Sequence, residues 1–265
     1  MNPIRIDLAT DDRLEPFRDI RERDLKGRLD CFVIEGRMVL DQALTSGCRM
    51  RAVLVSDAAL AARPALVELD APVYVASERI VSEVAGFHVH RGSLAIAERP
   101  RPLLVRELLA RTSDRARVVV LLGISNHDNV GGVFRSAAAL GAQAVLLDEQ
   151  TSDPLYRKAV RVSTAATLLV PWAQGSREEI LAELGRAGFR TVALTPRADA
   201  VPLRTLRGQP GKLALLLGAE GPGLEPAVIA RADLACAIPI TRTVDSLNVT
   251  VAASIALYEL CEPGS

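Results

Sequence analysis

A chain of 265 residues, 49% of them apolar and 24% charged, has the composition of a globular protein with an ample core, and wholesale disorder is excluded. That length suits one large domain or two ordinary ones. Thirty-two basic residues balance thirty-two acidic ones at a sequence pI of about 6.8, so a nucleic-acid partner would be held by local patches and not by a global positive field. Arginine outnumbers lysine 29 to 3, which suits forked recognition of phosphate; a genome-wide codon bias produces the same excess.

The first 17 residues carry Arg5, Asp7, Asp11, Asp12, Arg13 and Glu15 and therefore lack the apolar stretch of a signal peptide. The longest uncharged run, 162–176, is 15 residues and is broken by Pro171, too short to span a bilayer. Cys31, Cys48, Cys236 and Cys261 form no C-x-x-C pair and read as reduced thiols of a cytoplasmic protein without a zinc site. His88 and His90 alternate on one presumed strand, and His127 reads as a loop residue, so no histidine is assigned to a metal or to catalysis.

Taken in chain order, residues 1–30 hold seven basic and eight acidic residues and read as a solvated face. Short β-branched runs at 31–34, 52–55 and 72–75 alternate with amphipathic segments at 36–44, 58–69 and 77–85, and 87–97 reads as a further strand. Such alternation predicts a mostly parallel or mixed sheet covered by helices. E-R-P-R-P at 98–102 is a stiff joint, since its prolines cannot pair in a ladder. Beyond it, aliphatic runs at 118–122, 144–147, 167–170, 191–194, 213–217 and 235–240 predict strands buried on both faces. Helical segments at 130–140, 177–187, 226–232 and 246–260 lie between and after them, the last apolar on most sides. The expected organisation is two α/β domains, 1–100 and 117–265, joined by a linker at 101–116.

Three segments of the second domain break local rules, and function tends to reside in such places. N-H-D-N-V-G-G-V-F-R-S-A (126–137) follows a strand directly and leads through paired glycines into a helix, which puts helix-start amides at a strand's carboxyl end. Arg135 falls within the first turns of that helix, and Asp128 or Asn129 reads as its cap. L-L-L-G-A-E-G-P-G-L (215–224) has three glycines within six residues, neither a G-x-G-x-x-G fingerprint nor a phosphate loop, and an ordinary glycine turn leaves Glu220 unexplained. I-P-I-T-R-T-V-D-S-L-N-V-T (238–250) ends a strand and opens the final helix, with Ser246 as a candidate cap and Asn248 two positions into the helix.

In this order and spacing the three segments resemble the signature motifs of the SpoU/TrmH family of S-adenosylmethionine-dependent RNA ribose 2′-O-methyltransferases. The resemblance covers roughly 117–260, and D-P-L-Y-R-K-A-V-R-V-S (153–163) is similar to the family's central segment. V-I-E-G-R-M-V-L-D-Q-A-L (33–44) is similar to the L30e-like substrate-binding domain that precedes the catalytic domain in many members. The resemblance implies an α/β catalytic domain of the SPOUT type with a deep trefoil knot, although knots are rare exceptions among folds. It implies S-adenosyl-L-methionine as cofactor, held at Thr195, Leu217, Gly218, Ile238 and Leu247, and a homodimer with its active site at the interface. RNA is the implied partner, ribosomal RNA ahead of transfer RNA because of the first domain, and no membrane is involved.

The implied chemistry is in-line attack of a ribose 2′-hydroxyl on the sulfonium methyl, which demands alignment and handling of a proton. Arg135 matches the family's catalytic arginine. A guanidinium stays protonated in proteins, so its expected role is to clamp a phosphate and stabilise the developing alkoxide, with the immediate proton acceptor left open. Asn129 would hold Arg135 or the ribose, Glu220 would orient the pocket, and Ser246 and Asn248 would position nucleotide and loop. The chain departs from the family in carrying Arg242 and Ala165 where glycine is common. A non-catalytic RNA-binding protein is the competing class, and a nicotinamide oxidoreductase lacks its glycine fingerprint.

Overall fold

The computed structural model describes residues 2–18, 20, 25, 29–89, 92–241 and 243–261. His90 and Arg242, singled out above, lie outside the described residues. The chain forms two compact units, Met1–Arg101 with Leu155–Leu168, and Pro102–Pro154 with Leu169–Ser265.

The first unit opens with β1 (Ile4–Arg5), β2 (Cys31–Glu35), α1 (Arg37–Thr45), β3 (Met50–Ser56), α2 (Asp57–Ala61), β4 (Val73–Ala76), α3 (Glu78–Ala85) and β5 (Ser93–Glu98). Its sheet has the order β1-β4-β3-β5-β2, with β1, β4 and β3 parallel and β5 antiparallel to both neighbours. The helix expected over 58–69 is cut short because Pro64 lacks an N–H and restricts Arg63 before it; a short 3-10 turn, Pro64–Glu68, follows instead. The strand expected over 87–97 starts only at Ser93, and His88 lies in the preceding loop.

The second unit begins with α4 (Val105–Leu109), β6 (Arg117–Leu122), α5 (His127–Leu140) and β7 (Ala144–Leu147). Residues 101–116, expected as a linker, thus carry a helix, and Val105, Leu108, Leu109 and Ala116 are buried in the core with Val118, Val120 and Leu146. The prolines and arginines of the joint masked that apolar content. Next, α6 (Arg157–Val162) belongs to the first unit, inside the stretch read as catalytic. Arg157 and Arg161, one turn apart, both donate to the carboxylate of Glu35, which is 2% exposed, and the Arg157 guanidinium lies 4.2 Å from the Phe87 ring centroid. The i, i+4 spacing of R-K-A-V-R is therefore a clasp on one buried acid. Thr164 and Ala165 follow with φ of 52° and 62°. That region favours glycine, which gives a physical reason for glycine being common where Ala165 stands.

The remaining elements are β8 (Trp172–Gln174), α7 (Arg177–Arg186), β9 (Phe189–Leu194), β10 (Val201–Pro202), β11 (Lys212–Gly218), α8 (Pro226–Arg231), β12 (Leu234–Ala237) and α9 (Val249–Leu260). The strand expected over 167–170 is a correction: Ala166–Leu168 is a 3-10 turn and the strand comes after Pro171. A short apolar run signals burial without specifying helix or strand, and Ala166, Thr167 and Val170 are indeed buried. The sheet order is β10-β12-β9-β11-β6-β7-β8, and all pairs are parallel. The late strand β11 lies between β9 and β6, where the sequence order reverses. A crevice at the carboxyl ends of such strands is where open parallel sheets bind ligands.

Arg117 at the start of β6 is buried, and its guanidinium donates to the carbonyls of Leu260, Arg115, Ala116, Gly211 and Gln209 at 2.6–3.2 Å. It ties the last residue of α9 to the entry of the central strands. Arg117→Met should lower stability by at least ~2 kcal/mol, because several carbonyls lose a charged donor. Arg117→Lys should recover little, since one ammonium cannot reproduce the planar fork; urea denaturation measures both.

Candidate active site

Asn126 caps α5, its side chain accepting from the Asp128 amide at 2.8 Å, so the helix begins at His127 and neither Asp128 nor Asn129 is its cap. Gly131 and Gly132 consequently lie inside the helix and not at its mouth. Gly132 has a packing reason: a Cβ there would come within 2.6 Å of the Thr250 side chain on α9. The two helices run side by side, Ser136 Oγ meeting Ser254 Oγ at 2.7 Å one turn on.

Asn248 is the N-cap of α9, its Oδ1 accepting from the amides of Thr250 (2.9 Å) and Val251 (3.4 Å). The helix therefore starts at Val249, three residues later than expected, and Ser246 stands exposed in the preceding loop. With its oxygen committed to the helix start, the Asn248 amide nitrogen faces the other way. It donates to Asn129 Oδ1 at 3.0 Å and to Glu220 Oε1 at 3.2 Å. Asn129, buried on the first turn of α5, donates its own Nδ2 to Glu220 Oε1. Thr250 Oγ1 adds a donor to Asn129 Oδ1 at 3.3 Å. One residue from each of the three motifs thus closes a triangle of hydrogen bonds. Thr250 escaped the sequence reading; its only signal was a small hydroxyl four residues after Ser246.

The glycines of 215–224 build the turn that delivers Glu220. A Cβ at Gly218, the last residue of β11, would lie 2.3 Å from the backbone of Gly223 and Leu224. Gly221 and Gly223 have φ of 84° and 69°, and the Gly223 amide donates to the Ala219 carbonyl at 2.9 Å. The close approach is of the chain to itself, and Glu220 stands exposed at the tip.

The five residues expected to hold a cofactor fall along the same rim. Thr195 follows β9, its amide bound to the Cys236 carbonyl at 2.9 Å; Leu217 and Gly218 end β11, Ile238 follows β12, and Leu247 precedes Asn248. The register pairs Leu194 with Cys236 and Ala193 with Leu216, which sets the ends of β12, β9 and β11 next to one another. Leu217 is buried, while Ile238 and Leu247 are half-buried.

Arg135 and Ser246 are not brought into the triangle. Six residues beyond Asn129, Arg135 lies about 240° round the helix. It is exposed and has no hydrogen-bond or ion-pair partner among the described residues. Of the two partners expected for Asn129, Arg135 or the ribose, Arg135 is replaced by Glu220. Burial pushes the Cys48 thiol up to about 11 and raises Cys31, Cys236 and Cys261, which leaves no activated thiol among them. Among the described residues no His/Cys/Asp/Glu group could hold a metal ion, and no helix is long and apolar enough to cross a membrane.

Residues 116–258 match the SpoU rRNA Methylase family. An uncharacterized tRNA/rRNA methyltransferase of Mycobacterium tuberculosis is 39% identical over 264 residues, 96% of this chain and 90% of its own. The 23S rRNA (guanosine(2553)-2′-O)-methyltransferase RlmP of Bacillus subtilis is 26% identical over 257 residues, 97% and 98% of the two chains. A crystal structure of an RNA 2′-O ribose methyltransferase superposes with a TM-score of 0.82 at 28% identity, covering 97% of this chain and 98% of that one. An rRNA methyltransferase from Sinorhizobium meliloti shares the fold with a TM-score of 0.84 at 23% identity, covering 97% and 96%. The chain belongs to the SpoU rRNA methylase family.

Gly218→Ala should cost about 1–3 kcal/mol, the scale of forcing an extra methyl into closed packing, because the obstacle is backbone that cannot rotate away. Urea denaturation of the variant beside Gly211→Ala, where a Cβ meets nothing within 4 Å, separates this clash from ordinary loss of glycine's left-handed freedom.

Proposed function

We propose that this protein is an S-adenosylmethionine-dependent methyltransferase that modifies a ribose 2′-hydroxyl in RNA, with ribosomal RNA as its substrate class. The observation that carries the reading is the Asn129–Glu220–Asn248 triangle at the carboxyl ends of the parallel strands. A chain that kept only the fold for RNA binding would have no use for three polar side chains matched so closely.

The rim suits the cofactor. Gly218 has no side chain to obstruct an approaching ring, half-buried Ile238 and Leu247 offer apolar surface, and backbone groups at Gly218, Ile238 and Leu247 would read the adenine. When bound, S-adenosylmethionine supplies an already activated methyl group. The protein's task is then to align the ribose hydroxyl and to stabilise charge as it develops. Arg135, exposed and uncommitted, is available to a phosphate of the RNA; its fixed charge clamps that phosphate and steadies the alkoxide. Glu220, taking two amide donors on one oxygen, keeps the second oxygen for the nucleotide or the cofactor. Ser246, exposed just before Asn248, would meet the nucleotide.

Residues 1–100 would grip RNA without chemistry, as the L30e-like likeness suggests. A homodimer is supported by α9, which leaves Val251 (46% exposed), Ile255 (37%) and Tyr258 (60%) on one face at i, i+4 and i+7, a stripe suited to another helix. The cytoplasm is the expected location. The trefoil knot of the family completes the proposed fold.

Ribose-methylation mapping of total RNA with and without the gene tests the substrate: a mark lost from ribosomal RNA is expected, and one lost from transfer RNA alone would reverse the order. Failure to bind S-adenosylmethionine in calorimetry would favour the non-catalytic class. Arg135→Ala should bind the cofactor normally yet transfer methyl groups at least ~100-fold more slowly in single turnover, and Arg135→Lys should not restore the loss. Near-normal transfer by the alanine variant would remove Arg135 from the mechanism. Ile255→Glu should shift the protein from dimer to monomer in sedimentation, because a carboxylate would be buried in the helix stripe.

A further inference from the structure

Behind the triangle lies a second polar arrangement that the methyl-transfer reading leaves unused. Asp148, the residue after β7, is 2% exposed. Its Oδ1 accepts from the Gly123 amide at 2.9 Å and from Thr151 Oγ1 at 2.7 Å, while Thr151 Oγ1 accepts from the Ile124 amide at 3.2 Å. Ser152 completes the seam, its amide donating to the Ile124 carbonyl at 2.9 Å and its hydroxyl to the Ser125 carbonyl at 2.6 Å. Residues 148–152 therefore grip 123–125, the few residues between β6 and the cap of α5. Gly123 has a φ of 71°, and a Cβ built there would lie 3.7 Å from Ala219 Cβ, so the gripped loop adjoins the turn that carries Glu220.

One guanidinium links the two loops. Arg177, at the start of α7, donates from Nη2 to Asp148 Oδ2 at 3.2 Å and meets Glu225 Oε1 from Nη1 at 2.7 Å. Glu225 occupies the position just before α8, directly after the glycine turn. The same cation thus holds the carboxylate that grips the loop to Asn129 and the carboxylate that ends the loop of Glu220. The Asp148–Arg177 pair is largely buried and Glu225 is exposed. Neither kind of ion pair contributes much net stability, because desolvation offsets attraction in the first and solvent screens the second; what a fixed fork provides is geometry.

We propose that Asp148, Thr151 and Arg177 are positioning residues for methyl transfer: they set where β6 ends and where the glycine turn closes, and so where Asn129 meets Glu220. The proposal rests on the functional reading above for its catalytic half, whereas its structural half can be measured without activity.

The test uses the full-length protein and four variants, Thr151→Val, Thr151→Ser, Asp148→Asn and Arg177→Lys. Amide hydrogen exchange is followed over 123–126 and 218–225, beside single-turnover transfer to the mapped RNA and the thermal midpoint. Thr151→Val and Asp148→Asn should speed exchange over 123–126. They should slow transfer about tenfold to a hundredfold, the scale of a ~1 Å misplacement, while RNA KM and cofactor affinity stay within about twofold, the pattern of an effect confined to the transition state. Thr151→Ser, which keeps the hydroxyl, should restore both. Arg177→Lys should speed exchange in both segments, since an ammonium cannot hold two carboxylates in one plane.

Unchanged exchange over 123–126 in Thr151→Val and Asp148→Asn would overturn the grip itself. Faster exchange with unaltered transfer would overturn its role in the reaction. So would a rate loss that merely follows the unfolded fraction and vanishes on cooling. If the parent protein neither binds S-adenosylmethionine nor methylates RNA, the functional reading fails, and the exchange measurements still decide whether the brace exists.

Discussion

The side-chain amide of Asn248 has two ends, and each is spoken for. Its oxygen closes the first turn of α9, accepting from Thr250 and Val251, which fixes the rotamer through the strong preference of helix starts for such a cap. Its nitrogen then has one direction left, toward Asn129 and Glu220. Aspartate would cap the helix as well, but it would aim an oxygen where a donor is needed, at a carboxylate and a carbonyl oxygen. The requirement for a group that accepts on one side and donates on the other makes the cap and the site a single constraint. It also couples their stabilities, since fraying the first turn of α9 would free the nitrogen as well.

The sheet supplies the other half of that constraint. With every strand of the second unit parallel, all carboxyl ends face one way, and the connections leaving them converge on one edge. Placing β11 between β9 and β6 brings the turn of Glu220 directly beside the loop that enters α5. Gly218 permits the turn to fold back on itself, and Gly132 permits α9 to lie close along α5, so Asn248 and Asn129 come within reach. Small residues at these two positions serve internal packing.

Much of this was legible in the sequence, though unevenly. The aliphatic strands β6, β7, β9 and β11 announced themselves because strands buried on both faces need continuous apolar runs. The three motifs stood out because each placed polar residues or glycines where an element should begin. Helix starts were misplaced by three residues at both α5 and α9 because Asn126, Asp128, Asn129, Ser246 and Asn248 all have capping side chains, and only the fold decides which one lies at the boundary. The allegiance of α6 to the first unit was hidden for a different reason. Its partner Glu35 is more than a hundred residues away, and a clasp between distant charges leaves no periodic trace. Asp148, Thr151 and Arg177 were invisible likewise: an acid after a strand and an arginine opening a helix look like surface residues until the strands are laid side by side.

The arginine excess has structural uses within the fold. Arg117 serves backbone carbonyls, Arg157 and Arg161 serve Glu35, and Arg177 serves Asp148 and Glu225. Arg117 and Arg177 each satisfy several oxygens with one planar, permanently charged fork, while Arg157 and Arg161 take one oxygen each of a single buried carboxylate, arrangements lysine reproduces poorly. These arginines are therefore occupied, and their presence in the composition says nothing of phosphate. A chain whose charges cancel to a formal net of zero gains no attraction for RNA from its total charge. Electrostatic attraction then rests on local groups that the fold leaves uncommitted. Arg135 is such a group, and it stands on the helix whose first turn carries Asn129. A residue left free in this way, on an element held at its base by Asn126 and Asn129, offers its fixed charge at a defined place on the surface.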